Sequence, residues 1–183
     1  MEAVTDPALR QLLDSARSSD SSRSRAGFAA LHRHRADDAT LVGLLANLAE
    51  CKAFVALTTT IGAERWGTVA MSGLCGIVLQ KSQSDASLIR TAAIASVRSV
   101  SQLRLDGDGT PQASTSWPTF VASHIELGEE ISLTVNTQHV AGRVIGLNRS
   151  LLSLATPNGG AFYAVVDEID EVSVRVPGSI RHD

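Results

Sequence analysis

The sequence predicts an α+β fold: an N-terminal helical region followed by two small five-stranded antiparallel β-barrels. Three observations carry this. First, two stretches, 55–97 and 131–172, share one apolar pattern. Gly67 leads to Val69, Leu79, Ile94 and Val97, and Gly142 leads to Val144, Leu154, Ile169 and Val172 at identical offsets, 75 residues on. Upstream, Val55, Leu57 and Thr59 answer to Ile131, Leu133 and Val135, with one residue fewer before the second glycine. Second, each stretch breaks into five short runs bounded by turn residues, the pattern of small all-β units. Third, a helical segment precedes each set. A glycine inside the second strand, Gly67 or Gly142, permits the sharp bend that a small barrel requires.

Residues 1–38 read as a polar helical region. Asp6 caps a first helix with Pro7 at its first position, where a missing N–H costs nothing. Leu9, Leu12, Leu13 and Ala16 follow at helical spacing. A Ser-rich stretch, 18–24, breaks it, and a second helix runs through Phe28, Ala29 and Leu31. Residues 39–100 form the first barrel with its leading helix. Asp38 caps that helix, Ala39 to about Glu50, and Leu41, Leu44, Leu45 and Leu48 form its stripe. Strands follow around Phe54–Thr59, Arg65–Met71, Gly76–Lys81, Ser87–Thr91 and Ala93–Val100. Residues 101–115 are a linker, because Asp106-Gly107-Asp108-Gly109-Thr110-Pro111 sustains neither helix nor strand. Residues 116–176 form the second barrel: a helix over Trp117–Leu127, then strands at Glu130–Asn136, His139–Ile145, Leu151–Ala155, Phe162–Val166 and Val172–Val176. Pro157-Asn158-Gly159-Gly160 is a hairpin signal. Residues 177–183 are a tail.

Aromatic residues make up 4% of the chain, so the core must be mostly aliphatic. Of the 16 basic residues only Lys52 and Lys81 are lysines, which points to a GC-rich bacterial source. Cys51 and Cys75 lie apart among apolar neighbours and read as small core residues. No apolar run approaches the roughly 18 residues of a membrane helix, and no signal peptide opens the chain. A cytoplasmic protein is expected, without membrane contact. Charge is uneven: residues 39–100 carry about two net positive charges and 116–183 about four net negative ones. An acidic second half repels a phosphate backbone.

Val55, Leu57, Gly62, Gly67 and Val69 resemble the first motif of the Sm-like barrel, the fold of Sm and LSm proteins and of Hfq. Ile89, Arg90, Thr91, Ile94 and Val97 resemble its second motif, except for a glycine that is Thr91 here. The likeness covers 39–100 well and 116–176 loosely. It implies two five-stranded Sm-like barrels, and units that associate by pairing strand four of one with strand five of the next, a contact a tandem repeat can also make within one chain. The arrangement also looks like a group of actinobacterial proteins with a helical N-terminus before such a barrel. The family's base-reading positions are altered. Its Asp and Asn are replaced by Gly73 and Ile77, and by Asn148 and Leu152; its stacking residue is replaced by Cys75 and Ser150. Arg90 alone persists from the family's nucleotide pocket.

No catalytic constellation is present. His32 and His34, two apart, point to opposite sides of a helix, so no metal is expected. His124 and His139 form no triad. The run Asp167-Glu168-Ile169-Asp170-Glu171 reads as a solvated turn between the last two strands. No cofactor is implied. Arg23, Arg25, Arg33 and Arg35 in the N-terminal region, with Arg65 and Arg90 in the first barrel, are the candidate nucleic-acid contacts. Trp66 lies beside Gly67, which shares the face of Val69, and therefore points outward with Thr68. Either the N-terminal helices cover it or it anchors a partner. The sequence thus predicts a non-enzymatic protein-interaction module that associates with a protein partner or with itself through barrel edge strands. The alternative is a regulator that binds RNA or DNA.

Overall fold

The computed structural model describes residues 40–100 and 108–175. The sequence expectations for 1–38, including Arg23, Arg25, Arg33 and Arg35, lie outside these residues, as does the tail.

Helix α1 (Leu41–Glu50) starts at Thr40, whose hydroxyl accepts the Gly43 N–H at 3.0 Å. Helix α2 (Trp117–Ala122) starts at Ser116 with Pro118 in its first turn. It is shorter than the sequence suggests, and Ser123 closes it by donating its hydroxyl to the Phe120 carbonyl. The strands are β1 (Phe54–Thr59), β2 (Glu64–Ser72), β3 (Gly76–Gln80), β4 (Asp85–Arg90) and β5 (Ile94–Ser99), then β6 (Glu130–Val135), β7 (Gln138–Leu147), β8 (Leu151–Ala155), β9 (Ala161–Val165) and β10 (Ile169–Arg175). A single 3₁₀ turn precedes β5 and another precedes β10.

The ten strands form one antiparallel sheet in the order β5-β1-β2-β3-β4-β10-β6-β7-β8-β9. This corrects the expectation of two closed five-stranded barrels: the sheet is open. Closing the first half on itself would require β4 to pair with β5. The edge of β4 is instead taken by β10, in a register running from Glu171 opposite Ile89 to Arg175 opposite Asp85. That pairing satisfies the backbone of both strands, and β5 and β9 are left as the two ends of the strand order.

The sheet buries two cores on opposite faces, and the changeover falls at the β4–β10 seam. Val55, Leu57, Val69, Ile77, Leu79, Ile89 and Ile94 pack with Leu45 and Leu48 of α1. Ile131, Leu133, Val144, Leu152, Leu154, Val166, Ile169 and Val172 pack with Trp117 and Phe120 of α2. Side chains alternate across a strand, so β4 serves both: Ile89 enters the first core, while Ala86 and Leu88 enter the second.

Gly67 and Gly142 have a steric role. A Cβ on Gly67 would lie 2.5 Å from the Gln80 carbonyl oxygen, and one on Gly142 would lie 2.6 Å from that of Ala155. The bent second strand of each half presses against the third, and only glycine allows the approach. The β2–β3 ladder shifts register between Val69 and Met71, and the β7–β8 ladder shifts between Val144 and Gly146.

Candidate functional site

The seam joins a basic half to an acidic one. Glu171 on β10 is buried at 3% exposure. Its carboxylate accepts the Arg65 Nε–H at 2.7 and 2.9 Å, the Ser87 hydroxyl at 2.9 Å and the Lys81 ammonium at 3.4 Å. Burial alone would raise the carboxyl's pKa, but Arg65 and Lys81, together with the bonds from Arg65 and Ser87, outweigh it and hold the group below the usual carboxylate range. Arg90, at the end of β4, donates its guanidinium to the Asp167 carbonyl in the turn before β10. Both first-half arginines singled out from the sequence are thus engaged across the seam. The acidic run is not wholly a solvated turn: Asp167 and Glu168 are exposed, but Ile169 and Glu171 are buried strand residues.

On its other face the seam is sealed by α2. Trp117 packs against β3, so that a Cβ at Gly76 would meet its ring at 2.5 Å. Trp117 stacks on Phe120 at 5.8 Å. Residues 112–113 of the linker hold this corner, with the Gln112 N–H donating to the Ser72 carbonyl and the Leu74 N–H to that of Ala113. The Cys75 thiol donates to the Thr115 carbonyl, and burial pushes its pKa up.

The two sheet ends carry exposed apolar side chains. On β8 and β9, Leu151, Tyr163 and Val165 are exposed, and Tyr163 reaches 65%. On the first half, Leu41 of α1 is 37% exposed and lines a second cleft with Leu74, Arg90 and Trp117. Trp66 points outward as its alternation with Gly67 and Val69 predicts, at 43% exposure. Phe54 lies 6.5 Å from it, and the Arg98 guanidinium sits over its ring at 5.2 Å. Trp66 and Arg98 both pair with Ala56, from its two sides. Arg98 went unrecognised in the sequence, because a strand arginine near a linker carries no signal until its neighbouring strand is known.

A cleft of about 830 Å³ opens along the seam, lined by Lys81, Asp85, Glu130, Ala141, Arg143 and Ser173 among others. His124 bonds to the Phe120 carbonyl and His139 to the Thr134 hydroxyl. Cys51, expected in the core, is exposed at the end of α1, where the chain turns through Lys52. Among the described residues no group of three His, Cys, Asp or Glu side chains is gathered that could hold a metal ion. Among them, too, no helix is long and apolar enough to cross a membrane.

No family model matches the sequence, and no curated protein matches it.

Proposed function

We propose that the protein is a non-enzymatic assembly module, built of two tandem Sm-like units, that joins copies of itself head to tail through its sheet edges. The observation that carries this reading is the β4–β10 pairing. Every element from β1 to β5 has a counterpart 75 or 76 residues later, down to the 3₁₀ turn and the strand-two bulge. In that correspondence β9 stands for β4 and β5 stands for β10. The two ends of the sheet are therefore the two partners of the seam, carried on opposite ends of one molecule.

Side-chain sizes support the match. At the seam a large residue, Trp117, covers a glycine, Gly76. Their counterparts in the repeat are Leu41 and Leu151, a smaller cover over a larger floor, and both are exposed in a single copy. Leu88, buried at the seam, corresponds to exposed Tyr163. Such head-to-tail joints are heterologous, giving rings where the rotation closes and fibres where it does not.

The nucleic-acid alternative would rest on Arg23, Arg25, Arg33 and Arg35, since Arg65 and Arg90 are occupied at the seam.

Transferring the seam register places Val97 of one copy opposite Tyr163 of the next, as Val172 lies opposite Leu88. Directly opposed antiparallel residues have Cα atoms within disulfide reach. In a background with Cys51→Ser and Cys75→Ala, mixing Val97→Cys protein with Tyr163→Cys protein should give a disulfide-linked pair under mild oxidation. Absence of that pair, with the protein remaining a monomer, would overturn the reading.

A further inference from the structure

We infer that the Phe54–Trp66–Arg98 cluster is the receptor for the β8–β9 turn, residues 156–160, of the next copy. The inference rests on the proposed edge pairing and adds to it the side chains that fill the second face of the joint.

The intramolecular cleft supplies the geometry. Its floor comes from β10, β6 and β7, with Ser173, Glu130 and Ala141 among its residues, and the β3–β4 connection stands across it through Lys81 and Asp85. In the correspondence of the two halves, Ser173 answers to Arg98, Glu130 to Phe54 and Ala141 to Trp66. Lys81 answers to Thr156, and Asp85 to Gly160. The joint between copies therefore places residues 156–160 of one copy against Phe54, Trp66 and Arg98 of the other.

The two positions differ in how they are filled. At the seam that face carries Ser173, Ala141 and the Glu130–Arg143 ion pair, with no aromatic ring, and the cleft stays open. At the β5 end the same floor carries two half-exposed aromatic rings and a guanidinium over one of them. The opposing turn contains Pro157 and Gly159, with Gly159 at φ +83° and its ends tied by the Thr156–Gly160 bonds. A rigid, uncharged proline turn suits an aromatic floor, and a rigid segment loses little entropy on docking. The ionic group of the seam has no counterpart there. Glu171, Arg65 and Lys81 correspond to Ser96, Val140 and Thr156, so the joint buries no carboxylate and substitutes aromatic contact for charge.

The test uses the full chain labelled with 5-fluorotryptophan, whose two resonances are assigned with Trp66→Phe. As concentration rises through assembly, the Trp66 resonance should shift while that of Trp117, already buried, stays. Trp66→Ala should weaken association about thirtyfold, the scale of an interface hot spot. Pro157→Asp, on the opposite partner and remote from the tryptophan in its own chain, should weaken it comparably while leaving the fold intact. If the Val97–Tyr163 cross-link forms but the Trp66 resonance and the affinity of both variants are unchanged, the cluster is not the receptor and the edge pairing stands. If no cross-link forms and the protein is a monomer at all concentrations, both fall. A Trp66 that is shielded from solvent in a strict monomer overturns the inference in favour of cover from its own chain.

Discussion

The seam and the sheet ends use the same kinds of strand in opposite circumstances. At the seam, β4 and β10 are paired, their apolar side chains are buried and a carboxylate is locked between two cations. At the ends, β5 and β9 terminate the strand order and Tyr163, Val165 and Leu151 face solvent. The comparison separates what holds one molecule together from what is available to join two. Backbone pairing is generic to both. The side chains are not, and the charges are concentrated where the contact is permanent.

The sharpest way to break this comparison is to truncate the same position in both places. Leu88→Ala should cost about 3 kcal/mol in urea unfolding, because it opens a cavity in the second core from a strand of the first half. Tyr163→Ala, its counterpart at the open end, should stay within about 0.5 kcal/mol for the monomer, as surface changes do, while weakening assembly. Equal costs for the two would end the distinction between seam and edge.

Glu171→Ala should cost a similar amount, roughly 3 kcal/mol, because it leaves Arg65 and Lys81 without their buried partner. The same group sets an acid limit. Its native pKa lies below its unfolded value, so its contribution is fully present above the unfolded value and is lost as pH falls through the lowered native one. Stability against pH should therefore fall more steeply on the acid side in the wild type than in Glu171→Gln.

Smaller still, Gly67→Ala should cost about 2 kcal/mol by forcing β2 away from the Gln80 carbonyl. Gly62→Ala is strained by its positive φ of 80° but meets no atom, and about 1 kcal/mol is expected. Thermal denaturation of the two variants ranks steric contact against backbone conformation.

The strands were legible in the sequence because alternation and turn residues are local signals. Trp66 outward followed from strand alternation with an inward Val69. Closure was not legible. Whether β4 meets β5 or β10 is a choice between backbone edges 75 residues apart, and hydrogen-bonding edges carry no side-chain signature. The role of Glu171 was hidden for a related reason. Within a run of four acids beside a turn, its burial becomes apparent only once Arg65 is placed two strands beyond β4. Arg65 and Arg90 looked like free cations because the carboxylate and carbonyl they meet come from the other half.

The most direct test of head-to-tail joining is light scattering coupled to size exclusion over a range of concentrations, for the wild type and Tyr163→Asp. The wild type should grow past the dimer, since each copy presents one end of each kind, and Tyr163→Asp should elute as a monomer with an unchanged fold. A wild type that remains monomeric throughout, or a dimer that Tyr163→Asp leaves intact, would contradict head-to-tail joining.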